Sequence, residues 1–141
     1  MSMLLVGGEK IVSPSIMPFE VCNAFWKYAH AGLLAKDQVA RCASKAMDMV
    51  DEYCDDRDVL KEALSEAVRL GHPVYDMLYF VLARRLGATL FTLDRKLQGL
   101  CAENGVQIAD YILWVHLTTP DDAAFRAAVE SGCRAARTAL A

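Results

Sequence analysis

The length, composition and charge of the chain exclude several classes of protein. Its 141 residues fall within the usual size of one domain and suffice to bury a single substantial core. A hydrophobic fraction of 55% favours a compact fold with apolar surface available for self-association, and a net charge of −3 argues against a globally basic nucleic-acid-binding protein. The five cysteines form no CxxC pair, and no apolar run approaches the roughly 18 residues of a membrane span, so we expect a cytoplasmic protein with reduced thiols.

The first half of the chain predicts one strand followed by three helices. Residues 9–13 follow a Gly-Gly turn and favour a short buried strand. A helix then continues to Gly32, with Glu20 in its first turn. Five of its apolar residues suggest one buried face: Phe19, Cys22, Phe25, Trp26 and Ala29. Two scaffold helices are predicted over 37–53 and 56–71.

The second half of the chain alternates helices and strands. A helix over 77–86 follows a His-Pro break, and Asp76 is its expected N-cap. Residues 88–92 are nearly all apolar, which is typical of a parallel strand covered on both faces. Asp94 follows this strand directly and opens a helix over 95–104. The alternation indicates an α/β layer fold.

The end of the chain predicts one more strand and further helix. Residues 106–109 have the composition of a short strand. Thr119-Pro120 followed by two acids is a strong helix start, so we expect the segment 110–141 to be mainly helical. No linker or repeat interrupts the sequence, which predicts a single domain over 1–141.

Three acids share one local setting, because Glu20, Asp76 and Asp94 each stand at a helix start after an extended or turn segment. In an open parallel sheet such positions converge at the carboxyl ends of the strands. Converging carboxylates repel one another unless a cation neutralises them, and oxygen ligands suit Mg²⁺ or Mn²⁺ better than zinc. The competing interpretation is helix capping, which is the commoner role for any one of these acids alone.

Two other residue sets give weaker signals. The three histidines share no ligand spacing, so we expect two or more of them to be surface or turn residues rather than a catalytic set. A local basic cluster could guide a phosphate backbone despite the negative net charge, and its members are Arg84, Arg85, Arg95 and Lys96. For the first two of these arginines, a solvated helix face is the alternative.

The run from Pro73 to Leu97 carries a specific pattern: a Tyr-Asp pair opening a helix, a Leu-Gly stop, a short strand and a Thr-x-Asp-Arg-x-Leu ending. Upstream, the run from Ile11 to Trp26 combines a strand with a Glu-Val-x-Asn helix. Together these segments resemble PIN domains, especially the VapC-like toxin half of VapBC toxin-antitoxin pairs. The resemblance covers about residues 9–109 and leaves 110–141 as a C-terminal extension.

The resemblance implies a PIN-like three-layer α/β/α fold with a short parallel sheet. It also implies that Glu20, Asp76 and Asp94 are catalytic carboxylates and ligands of Mg²⁺ or Mn²⁺, with Thr92 as a supporting hydroxyl. The implied activity is endoribonuclease cleavage of single-stranded RNA by the toxin of a toxin-antitoxin system. The implied partners are a second copy in a homodimer and a VapB-like antitoxin, with no role for a membrane.

The start of the chain departs from the family pattern. PIN domains begin with a strand ending in Asp and two helices, whereas residues 1–8 resemble only the tail of the second helix. Loss of that central strand would expose backbone groups on both neighbouring strands, so another segment must fill the slot. One candidate is 107–122, which would make Asp110 a fourth carboxylate from the same chain or a dimer mate; the alternative is an ordinary last strand ending in Asp.

The incomplete pattern leaves a second function open. A degenerate PIN module with an incomplete acidic site would act in binding or assembly, with weak metal affinity and no cleavage. The short start itself is compatible with a natural form, a misplaced start codon or a truncated version of the gene.

Overall fold

The computed structural model describes residues 2–6 and 10–109, and the structural statements that follow concern those residues. Asp110 and the predicted C-terminal extension lie outside them. In chain order the helices and strands are β1 (Ser2–Val6), β2 (Lys10–Pro14), α1 (Met17–His30), a 3-10 helix (Lys36–Gln38), α2 (Val39–Asp48), β3 (Glu52–Cys54), a second 3-10 helix (Asp56–Asp58), α3 (Leu60–Leu70), α4 (Val74–Leu86), β4 (Thr89–Thr92) and α5 (Arg95–Glu103). The expected α/β class is confirmed.

The described strands form one mixed sheet in the order β3-β2-β1-β4. Strand β2 pairs with β3 in parallel, while β1 runs antiparallel to both of its neighbours. Leu4 at the middle of β1 lies opposite Val12 on one side and Leu90 on the other. Strands β2, β3 and β4 therefore share one direction, and their carboxyl ends lie at the same edge of the sheet, which we call the carboxyl edge.

The expectation that residues 1–8 resemble a helix tail is wrong for residues 2–6, which form β1. A run of five residues, four of them apolar, has no decisive period, and pairing on both sides satisfies its backbone groups. The slot in the sheet is thus filled, but by β1 and not by the C-terminal candidate. Ile108 forms a parallel bridge with Leu90 on the side of β4 away from β1, so this part of the candidate lies outside the slot.

Helix α2 ends earlier than the sequence predicts. The expected helix over 37–53 stops at Asp48, and Glu52–Cys54 pairs in parallel with β2. The amide of Asp51 also donates to the carbonyl of Ile11 (2.8 Å). These long-range hydrogen bonds override the local helical pattern, because strand pairing is decided by neighbours distant in the sequence.

The buried face of α1 also differs from the predicted stripe. Met17, Val21 and Phe25, spaced four residues apart, are buried. Phe19 and Trp26 are 75% and 58% exposed. The four-residue spacing follows the helical period, and it rotates these two aromatic side chains away from the sheet.

Helix α4 is the most deeply buried helix of the described part. All seven residues from Met77 to Ala83 are buried, and the helix contacts β1, β2, β4, α3 and α5. Pro73 at the N-cap and Gly87 in left-handed conformation (φ 58°) delimit it. The middle of the helix is therefore buried, while Tyr75 in its first turn is exposed. None of the described helices is long and apolar enough to cross a bilayer.

Candidate active site

Side chains from α1, α4 and α5 meet at the carboxyl edge of the sheet. Glu20 lies in the first turn of α1, which follows β2, and Asp94 is the N-cap of α5, which follows β4. Asp76 lies in the first turn of α4. The shared direction of β2 and β4 brings the starts of α1 and α5 to this edge, whereas α4 follows α3 and not a strand.

Asp76 and Asp94 form a compact group with a residue that the sequence did not select, His72. The Nε2 atom of His72 lies 2.9 Å from Oδ2 of Asp76. One ligand atom from each of the three residues lies within 4.8 Å of the other two. The group combines one imidazole with two carboxylates, and such a set of donors could hold a divalent ion.

Asp76 is not the N-cap of α4, contrary to the sequence prediction. Pro73 occupies that position with extended backbone (ψ 142°), and the helix begins at Val74. Asp76 is consequently the third helical residue. Its carboxylate faces His72, four residues earlier, instead of closing the helix start.

Asp94 caps a helix, as one of the two interpretations of the sequence predicts, and it also lies close to His72 and Asp76. Its Oδ1 atom accepts hydrogen bonds from the amides of Lys96 (2.8 Å) and Leu97 (3.1 Å), which caps α5. The same carboxylate belongs to the group with His72 and Asp76. Capping is thus compatible with metal binding, because a carboxylate has two oxygens and several acceptor sites.

Thr92 lies buried at the end of β4, directly before this site. Its Oγ1 atom accepts hydrogen bonds from the amide of Asp94 (3.2 Å) and from the hydroxyl of Ser2 (3.0 Å). The side-chain amide of Gln98 donates a hydrogen bond to the Thr92 carbonyl (2.7 Å). Thr92 therefore fixes the backbone from which Asp94 projects, in keeping with a supporting position.

Glu20 lies outside the three-residue group and contacts Tyr79 on α4, the helix that also carries Asp76. The Tyr79 hydroxyl donates a hydrogen bond to Oε2 of Glu20, whereas the buried Ser13 hydroxyl donates to the Pro14 carbonyl (3.2 Å). Tyr79 is 1% exposed, and burial together with the Glu20 charge raises the pKa of its phenol. The phenol thus remains a hydrogen-bond donor to Glu20 at physiological pH.

Glu20 is a half-buried carboxylate near two other acids, Asp76 and Asp56. Burial raises the pKa of Glu20 above its ordinary value, and the charges of Asp76 and Asp56 add to the rise. The hydrogen bond from Tyr79 opposes it. A cation at this edge would reverse the balance and favour ionised carboxylates.

Asp56 is a further acid at this edge that the sequence did not identify. It follows β3, its amide donates to the Ser15 hydroxyl (3.2 Å), and its Oδ1 atom is buried without a hydrogen-bond partner among the described residues. The predicted helix over 37–53 hid the strand that carries it to this edge. The sequence signal that could have identified Asp56 is the pair of acids Asp55 and Asp56, which directly follows the short segment Glu52–Cys54.

The four basic residues of the predicted cluster fall into two pairs. Arg84 and Arg85, in the last turn of α4, form ion pairs with Glu62 of α3 (2.7 and 2.6 Å). They lie eight or more residues from Asp76, or about 12 Å along the helix, so the structure does not bring them to the carboxylates. Arg95 and Lys96 are exposed and adjacent to Asp94.

The fold and this site together define an α/β domain with an acidic edge formed by three helix starts. Its sequence is similar to ribonuclease VapC3 of Pyrobaculum aerophilum, with 37% identity over 94 residues, which cover 63% of this chain and 70% of that protein. No family model matches the chain. On the strength of this relative, the chain belongs to the VapC-like PIN ribonucleases.

Proposed function

We propose that this chain is a divalent-metal-dependent endoribonuclease and the toxin component of a toxin-antitoxin system. The observation that carries the proposal is the close group formed by Asp76 and Asp94, which come from separate helices and share one edge of the sheet with Glu20. The similarity to a VapC ribonuclease supports the same reaction class. In this proposal Glu20, Asp76 and Asp94 are the catalytic carboxylates.

The donors fit the metal that this activity requires. Carboxylate oxygens are the ligands of Mg²⁺ and Mn²⁺, and a bound cation would favour the ionised form of Glu20, whose pKa burial raises. When bound, such an ion would polarise the scissile phosphate and lower the pKa of an attacking water. Asp76 and Asp94 would hold it, Tyr79 would orient Glu20, and Thr92 would fix Asp94.

The substrate in this proposal is single-stranded RNA, positioned by the exposed basic pair Arg95 and Lys96. Each cationic side chain beside Asp94 can contact one phosphate, so we expect the double variant Arg95→Ala/Lys96→Ala to bind RNA more weakly and with a smaller salt dependence. Lys27→Ala, at the far end of α1, is the matched control. If the RNA affinity of the two variants depended equally on salt concentration, Arg95 and Lys96 would not be the residues that position RNA.

The decisive experiment compares RNA cleavage by the wild-type chain and Asp94→Asn, with Mg²⁺ or Mn²⁺ added. Asparagine preserves the helix cap but removes the charge, so the fold should persist while cleavage is abolished. Asp37→Asn changes an exposed acid in the 3-10 helix after α1 and should cleave as wild type does. Undiminished cleavage by Asp94→Asn would overturn the assignment.

A degenerate module that acts in binding or assembly is the second candidate. The observation that favours it is the central strand β1, Ser-Met-Leu-Leu-Val, which carries no acid. This candidate predicts weak divalent-ion binding by calorimetry and no cleavage by the purified chain in the absence of any antitoxin. Metal-dependent cleavage that is lost in Asp94→Asn excludes it.

The proposed partners are a second copy of the chain and a VapB-like antitoxin. Helix α3 presents a row of exposed apolar side chains, Leu60, Leu64 and Val68, at four-residue spacing. This row supports self-association, because a contiguous apolar patch on a surface typically marks an interaction site, and a second copy of the chain could cover it. We expect a dimer in sedimentation equilibrium and a monomer for Leu64→Glu/Val68→Glu; dimerisation of the variant would exclude this face.

A further inference from the structure

His72 occupies a rigidly defined position between α3 and α4. Gly71 before it adopts the left-handed conformation (φ 65°) that ends α3, and Pro73 after it is the N-cap of α4. The His72 amide donates to the carbonyl of Ala67 (3.2 Å), and its side chain is only 8% exposed. The imidazole is therefore held close to one orientation before any ligand binds.

The distance between His72 and Asp76 fits two ligands of one metal ion. Two ligand atoms about 2.1 Å from a common ion and at right angles to each other are about 3.0 Å apart. The Nε2 atom of His72 and Oδ2 of Asp76 are 2.9 Å apart, and the Asp94 ligand atom lies within 4.8 Å of both. Opposite ligands of an octahedral ion are about 4.2 Å apart. A small rotation of one carboxylate would bring all three ligand atoms within coordination distance of a common ion.

We propose that His72 is a direct metal ligand and that, with Asp76 and Asp94, it forms a mixed nitrogen-oxygen site selective for first-row transition ions over Mg²⁺. This inference deepens the proposed function and rests on it for the catalytic role of the ion. Mg²⁺ takes oxygen ligands almost exclusively, whereas imidazole nitrogen binds first-row transition ions well. The imidazole therefore determines which ion the site prefers.

The test uses the full-length chain and Mn²⁺ alone. Electron spin echo envelope modulation of bound Mn²⁺ detects the nitrogen of a directly coordinated imidazole. We expect that signal in the wild type and in His30→Gln, because His30 stacks on Trp26 at the other end of α1. His72→Gln keeps a group that can hydrogen-bond to Asp76 but removes the imidazole, so it should lose the signal.

Affinity measurements by calorimetry give a second readout. His72→Gln should lower Mn²⁺ affinity by about tenfold or more, while Mg²⁺ affinity changes by no more than about threefold. Absence of nitrogen modulation in the wild type, whether because Mn²⁺ does not bind or because it has only oxygen ligands, overturns the inference. This result does not depend on whether the variant folds.

Failure of this inference can be distinguished from failure of the proposed function. RNA cleavage with Mg²⁺ that is lost in Asp94→Asn, combined with a Mn²⁺ spectrum free of nitrogen coupling, would reject His72 as a ligand and retain the ribonuclease. A nitrogen signal that disappears in His72→Gln, in a chain that does not cleave RNA with any tested ion, would retain the metal site and reject the ribonuclease.

Discussion

At the scale of single residues, the site depends on side chains that each serve two purposes. Asp94 caps α5 through Oδ1 and also belongs to the group with His72 and Asp76. Tyr79 fills the core under α4 and also donates a hydrogen bond to Glu20. Substitutions that remove one purpose and preserve the other can separate stability from activity.

Two substitutions of Asp94 should separate its cap from its charge. Asp94→Ala should lower the free energy of unfolding by about 1 kcal/mol, because the amides of Lys96 and Leu97 lose their acceptor. Asp94→Asn should change the free energy of unfolding by only about 0.3 kcal/mol, since asparagine caps a helix nearly as well as aspartate. Urea denaturation measures both. Equal stability of the two variants would mean that the cap contributes nothing.

Tyr79→Phe should reduce RNA cleavage by about 10- to 100-fold while the chain remains folded, because residues that orient metal-site carboxylates typically have effects of this size. The variant loses the donor that positions Glu20. Tyr53→Phe is the control, since it also loses a tyrosine hydrogen bond, to the carbonyl of Met47 (2.8 Å), but on the outer strand β3. Comparable activity losses in both variants would point to general destabilisation.

At the scale of helices and strands, α3 and α4 are joined by a charged network at the end of α4 remote from the site. Glu62 pairs with Arg84 and Arg85, and Arg84 also lies over the Phe80 ring, 5.1 Å from its centroid. The hydrogen bonds from both arginines lower the pKa of Glu62. This arrangement favours a structural role for the two arginines.

The Glu62 network predicts a pH-dependent contribution to stability. Because its pKa is lowered in the folded state, ionised Glu62 stabilises the fold above the ordinary glutamate pKa, and the contribution is lost as pH falls through the lowered value. At pH 7, Glu62→Gln should cost about 1 kcal/mol or less, and high salt should reduce the cost. Denaturation at pH 7 and at acidic pH measures this, with Glu103→Gln as an exposed control.

The sequence predicted the elements that have local signals and missed those that depend on distant partners. Helices α4 and α5 were found because Gly87, Gly105 and Asp94 mark their boundaries. Strands β1 and β3 were missed because five and three residues have no reliable period, and pairing alone defines them.

The same distinction applies to the site. The three helix starts at Glu20, Asp76 and Asp94 could be predicted from helix signals and from the Tyr-Asp and Thr-x-Asp motifs. The contact between His72 and Asp76 was hidden because a turn, and not a ligand spacing, brings the two side chains together. The Tyr79 contact with Glu20 joins residues 59 positions apart, which no local pattern reveals.

At the scale of the whole molecule, the sheet depends on β1. This strand lies between β2 and β4 and is the only connection between them among the strands that the structure describes. Leu4 is 1% exposed and faces the core on which α4 packs. The acids that follow β2 and β4 are therefore held at their separation by a strand that contributes no acid of its own.

Leu4→Ala should consequently destabilise the whole fold. Removing a fully buried leucine side chain from a core costs about 2–5 kcal/mol, because the surrounding groups close the cavity only in part. Leu33→Ala, at an exposed position after α1, should change stability by no more than about 0.5 kcal/mol. Guanidinium denaturation followed by circular dichroism gives both values. A small effect at Leu4 would show that β1 contributes little to the core.

The antiparallel direction of β1 has a practical consequence. Ser2 pairs with Thr92, so the amino-terminal end of this strand emerges beside the acids and not at the opposite rim. A polypeptide joined ahead of Ser2, such as an affinity tag, would therefore begin at the carboxyl edge. We expect such a tag to lower RNA cleavage and its proteolytic removal to restore it.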